Sequence, residues 1–139
     1  MPCAKALFLL VLFRFALLPA VSHGQYIGRA TINARPQKLT LVDPTNGTRF
    51  TLDSSCITIT VVSKNGKQLW KTDPWKAEKL EAYRVQRPVI VYFALGKSGL
   101  ADSQSKFRVG QEVIHITYNN TMFGMLNKAT GKFFYLGQD

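Results

Sequence analysis

Residues 56–75, CITITVVSKNGKQLWKTDPW, restrict the fold of this chain more than any other stretch. Ile57, Ile59 and Val61 alternate there with Cys56, Thr58, Thr60 and Val62. Period two puts the two sets on opposite faces of a strand, and β-branched side chains suit a pleated surface better than a helix. Asn65-Gly66 follows. Both residues accept the positive φ of a two-residue hairpin turn, so Gln68, Leu69 and Trp70 are expected to return antiparallel to the first strand.

The rest of the chain repeats this logic. Residues 26–33 read as a first strand, and residues 39–42 and 50–52 as a hairpin around the turn DPTNGT. Asp73 suits a helix N-cap and Pro74 the first helical position. Ala77, Leu80 and Tyr83 recur at a spacing that predicts a helix of about two to three turns over residues 75–84, stopped by Arg87-Pro88. Residues 89–95, VIVYFAL, are apolar at every position and read as a strand covered on both faces, in the middle of the core. Residues 96–110 form a loop with some structure near Phe107; residues 113–118 alternate as a strand. Residues 122–126 and 132–136 make a last hairpin, with Gly131 at positive φ. The expected fold is mainly β: a small antiparallel β-sandwich or barrel of about seven to eight strands with one short helix.

Turns ending in Gly47, Gly66 and Gly131 share one rhythm of strand, turn and strand. Within it, residues 61–70, VVSKNGKQLW, resemble part of a blade from quinoprotein-type β-propellers. The likeness covers about one tenth of the mature chain. A propeller needs at least about four blades, more than this length holds, so the rhythm is read as hairpin chemistry and no family is assigned.

The chain's 139 residues fit one domain. Its start has the order of a secretory signal peptide: Lys5, an apolar run over residues 6–13 that resumes after Arg14, Pro19, then small residues at Ala20, Ser22 and Gly24. Residues 1–24 are therefore expected to be removed, leaving residues 25–139 as a single β-rich domain, and no later segment is apolar for long enough to span a bilayer. Losing Lys5 and Arg14 takes the 18 basic residues to 16 against 8 acidic ones, a net charge of +8. Cys3 leaves with the leader, so Cys56 is alone and no intramolecular disulfide can form. Small secreted domains of oxidising eukaryotic compartments usually carry several, which favours a periplasmic over an extracellular location. Cys56 is expected to be a buried or half-buried strand thiol.

Most catalytic chemistry lacks its residues. No Ser-His-Asp or Cys-His set can be assembled, no Cys/His cluster has zinc spacing, and no metal or cofactor is called for. The turn at residues 43–47 has its glycine one place early for a calcium loop and lacks the later carboxylates. Gly96, Lys97 and Ser98 end like a phosphate loop, but Val91 stands where its first glycine belongs. His115 shares a strand face with Val113 and Thr117 and is the candidate general base, with Glu112, Asp53 or Asp102 as its carboxylate. Asn46 and Asn119 begin glycosylation sequons that matter only in a eukaryotic host.

A basic stretch carries more. Lys64, Lys67, Lys71, Lys76, Lys79, Arg84 and Arg87 fall within 24 residues that also hold Asp73, Glu78 and Glu81, a local charge of +4. Trp70, Trp75 and Tyr83 are interleaved. Cations beside flat aromatic faces suit polyanions, sugars or acidic protein surfaces. The expected function is an exported, non-enzymatic binding module that recognises a protein or an anionic envelope component, in preference to nucleic acid, through Lys71, Trp75, Lys76, Lys79 and Arg84. The alternatives are an inhibitor or immunity-type partner of a secreted hydrolase, and a small hydrolase using His115 with a carboxylate.

Overall fold

The computed structural model describes residues 31–99 and 107–139. The leader, and residues 26–30 of the expected first strand, lie outside the described residues. Residues 31–33 are not in a strand; the Ile32 N–H donates to the Asn119 carbonyl at 2.7 Å.

Eight strands follow: β1 (Thr40–Val42), β2 (Arg49–Leu52), β3 (Ile59–Val62), β4 (Gln68–Thr72), β5 (Ile90–Lys97), β6 (Glu112–Tyr118), β7 (Met122–Asn127) and β8 (Phe133–Gln138). One helical turn, α1 (Pro74–Ala77), separates β4 from β5. The strands form two four-stranded antiparallel sheets, β1-β2-β3-β4 and β5-β6-β7-β8. Each sheet pairs only consecutive strands, as short turns favour. The sheets face each other as a small β-sandwich and do not close into a barrel. Phe50, Leu52, Ile59 and Val61 of the first sheet meet Phe93, Ile114, Ile116, Tyr118, Leu126 and Phe133 of the second.

Period two decides which side chains face inward. Ile114, Ile116 and Tyr118 enter the core, while His115 and Thr117 of the same strand stay half-buried on the outer face, as the alternation predicts. Val113, also outward, is buried because Phe107 folds over that face and packs with Met125 and Phe134.

The turns are set by their own polar side chains. Asp43 and Asn127 play the same part in two hairpins: each side-chain Oδ1 accepts the N–H two residues on, and each carbonyl accepts the N–H of the glycine four residues on. Gly131 has a φ of +73°, and a Cβ there would sit 2.7 Å from the Trp70 ring. The position therefore excludes other residues twice, by backbone and by contact. The central hairpin is one residue shorter. Its Gly66 N–H donates to the Ser63 carbonyl, only Gly66 of the Asn65-Gly66 pair has positive φ, and the β3–β4 register shifts at Val61/Val62. A turn closed by Gly66 at positive φ thus replaces the expected two-residue turn, and the register shift is a separate bulge at Leu69, since Val61 pairs with Trp70 and Val62 with Gln68.

Three further expectations are corrected. The helix has one turn instead of two to three. Asp73 caps it as expected, its Oδ1 accepting the Lys76 N–H at 3.2 Å. At the other end the Leu80 N–H bonds the Trp75 carbonyl and the Lys79 N–H the Lys76 carbonyl, with Lys79 at a φ of +52°. This is a Schellman closure with lysine where glycine is usual. It folds Leu80 back onto the core, so the apolar spacing is satisfied without a longer helix. Second, residues 56–58 belong to the loop that begins at Asp53 and are not the start of β3. The Asp53 carboxylate accepts the Ile57 and Thr58 N–H groups at 2.8 and 3.0 Å, and Cys56, at a φ of +58°, is turned into the core as a buried free thiol. Third, β5 is an edge strand rather than the middle of the core, and its Tyr92 is 53% exposed. It opens the second meander and so has β6 alone for a neighbour among the described residues.

Tyr118 lies at the centre of the core, its ring edge-on to Trp75 at 5.5 Å and to Phe133 at 6.0 Å. Burial pushes its phenol far above the ordinary value, and the Asp73 carboxylate adds to the rise. The hydroxyl faces the Trp75 backbone N–H without closing a hydrogen bond of normal geometry. Tyr118→Phe is therefore expected to change stability by less than about 1 kcal/mol in urea denaturation, since no bonded partner is stranded. A larger loss would mean that the hydroxyl is bonded after all.

Candidate basic binding surface

The five residues expected to form a binding face separate into two groups. Trp75 is 6% exposed and belongs to the core, so it offers no ring face to a partner. The sequence could not distinguish it from Trp70, which is half-buried between the sheets. Arg84 is also committed. It is the central residue of a γ-turn, in which the Val85 N–H donates to the Tyr83 carbonyl at 2.6 Å, and it has a φ of +58°. Its guanidinium lies 4.8 Å from the Tyr83 ring centroid, and Nη1 donates to Thr121 Oγ1 at 3.3 Å. Arg84 thereby ties the segment after α1 to the β6–β7 turn, where Thr121 itself has a φ of +72°.

Lys71, Lys76 and Lys79 are exposed. Lys71 projects from the outer face of the first sheet, opposite Thr60 in the ladder. Lys76 is in α1 and Lys79 two residues beyond it. None of the three forms an ion pair among the described residues, where the bridges are Arg87–Asp73, Lys128–Asp43 and Lys128–Glu112. Four carboxylates are employed elsewhere. Burial raises the proton affinity of Asp53, but the Ile57 amide, the Ser55 hydroxyl and the Thr58 amide together outweigh it, with the Lys71 charge, and hold this carboxyl below its ordinary value. Asp73 caps α1 and bonds Arg87 at 2.5 Å. Asp43 and Glu112 share Lys128. Structural duty thus occupies these four carboxylates; Lys71 stays within the field of Asp53, and neither Lys76 nor Lys79 forms an ion pair with the neighbouring Glu78 or Glu81 among the described residues.

Among the described residues, His115 bonds neither Glu112 nor Asp53. The Nε2–H of His115 donates to the Lys97 carbonyl at 3.1 Å, and Glu112 is bonded to Lys128. Asp53 is locked in its own loop, and Asp102 lies outside the described residues. No group of three or more His, Cys, Asp or Glu suited to a metal ion occurs among the described residues. Of the two sequons, Asn46 is exposed in its turn, whereas Asn119 is half-buried and its side chain accepts the Val89 N–H. No helix among the described residues is long and apolar enough to cross a membrane. No protein-family model, curated protein or solved structure matches the chain.

Proposed function

We propose that the mature chain is an exported, non-enzymatic binding module, periplasmic in preference to extracellular, that takes an anionic macromolecule on the surface formed by Lys71, Lys76 and Lys79. One observation carries this reading: exposed lysines that form no ion pair among the described residues, with Asp53 tied to its loop and Asp73 to its cap. Lys79 adds a second support. It occupies a left-handed position where glycine costs least, so a cation stands there against backbone preference.

That strain makes a test in which binding and folding move oppositely. Lys79→Gly is expected to stabilise the chain by about 1 kcal/mol in urea denaturation. It should also lower the salt concentration at which the chain elutes from a heparin resin. Lys76→Glu should lower that concentration further with little change in stability. Unchanged elution of both variants would remove this surface from the account.

A further inference from the structure

We infer that the edge of β5 accepts an extended acidic segment of a partner protein, which adds to the second sheet as a fifth strand. This goes beyond the lysine surface around β4 and uses the opposite edge of the sandwich, where β1 lies beside β5. It stands even if the lysines bind nothing.

Three observations lead there. Among the described residues β5 is the longest strand, eight residues, and pairs only with β6. Apart from the Ile90 N–H, which donates to the Cys56 carbonyl at 2.8 Å, its other side makes no backbone bond among the described residues, and natural sheets usually blunt such an edge with charge, proline or a bulge. Pro88 and the register shift at Ile90/Tyr92 guard its beginning and Lys97 its end, but residues 92–96, YFALG, carry no such device. Next, a groove of about 470 Å³ runs along this edge. Leu41, Val91, Phe93 and Leu95 supply its apolar lining, and Arg35 and Lys38 its charge. No carboxylate lines it, and neither cation forms an ion pair among the described residues.

These features specify the occupant. A strand hydrogen-bonded to β5 would send alternate side chains into the apolar groove, which asks for aliphatic residues at every second position. Acidic residues between them would meet Arg35 and Lys38. A second copy of this chain suits the edge poorly, because a two-fold pairing would bring each copy's Arg35 and Lys38 towards the other's.

The test uses the full chain and a fluorescent peptide of alternating valine and glutamate, read by polarisation. The glutamate peptide is expected to bind and its lysine counterpart not to. The double variant Arg35→Glu/Lys38→Glu should weaken binding by about tenfold. Two forms of the peptide, N-methylated at the odd or at the even residues, distinguish strand addition from a side-chain contact. Only one set of amides can face β5, so one form should lose binding and the other keep it. The inference is overturned if both methylated forms bind alike or the glutamate peptide does not bind. It is equally overturned if sedimentation shows self-association through Arg35 and Lys38, or if binding appears only after removal of residues 1–30, which would make this chain's own segment the occupant.

Discussion

Lys128→Met is expected to destabilise the chain by about 3 kcal/mol, measured by urea denaturation at neutral pH, because it strands a buried carboxylate. Asp43 is 1% exposed, and its Oδ2 lies 2.5 Å from Lys128 Nζ, which also bonds Glu112 at 2.5 Å. The bridge joins the β1–β2 turn of one sheet to the β7–β8 turn of the other. Removing both partners, in Asp43→Asn/Lys128→Met, should cost less than Lys128→Met alone. A double variant worse than the single would mean that the pair does not act through its charges.

The pH dependence follows from the same contacts. Burial alone would raise the Asp43 pKa, but the Lys128 ammonium, with the Thr45 amide, holds it below the ordinary value. A carboxyl depressed in the folded state contributes stability above its unfolded pKa, and that stability is lost as pH falls through the folded value. Asp53 acts in the same direction. For Lys128, burial works to lower the pKa, and the bonds to Asp43 and Glu112 reverse this and raise it. Its contribution is full below the ordinary lysine value and is lost as pH rises through the folded one. In Lys128→Met burial is opposed by the Thr45 bonds alone, so the Asp43 pKa should rise and less stability should be lost on acidification than in the native chain. A Lys128→Met profile parallel to that of the native chain would contradict this account.

Trp70→Ala is expected to cost about 3 kcal/mol in the same assay. Its indole N–H donates to the Lys128 carbonyl at 3.1 Å, its ring lies 6.1 Å from that of Phe50, and it packs on Gly131. The side chain of one sheet is thus seated in a turn of the other. Gly131→Ala should cost about 2 kcal/mol in the native chain, from the positive φ and from the contact with the indole together. In the Trp70→Ala background only the backbone part, about 1 kcal/mol, should remain. Additive losses would show that the ring and the glycine do not meet in solution.

Both effects reside between elements far apart in sequence, which explains what could be read beforehand. Turn chemistry is local: Asp43, Asn127 and the glycines after them bond within a few residues, so the hairpins were legible. Alternation along β6 put His115 on the outer face for the same reason, and Asp73-Pro74 marked the start of α1. The extent of α1 was not legible, because its Schellman closure depends on the core that receives Leu80. Nor was the edge position of β5, since an apolar run reads alike whether one neighbour covers it or two. Among the candidate site residues, Lys71, Lys76 and Lys79 are on the surface as expected, while Trp75 is buried and Arg84 is engaged by Tyr83 and Thr121.

Two tryptophans five positions apart carry no local signal of which will fill a core and which will bridge two sheets. A cation likewise cannot declare in sequence whether a carboxylate 85 residues away will reach it, as Asp43 reaches Lys128. Residue order alone therefore determined the strands, their turns and the antiparallel pairing, because those rest on backbone dihedrals and bonds spanning a few residues. Among the described residues, tertiary structure alone decided which strands have a single neighbour, which ring is buried and which lysines form no ion pair, because those depend on how two separately formed sheets meet.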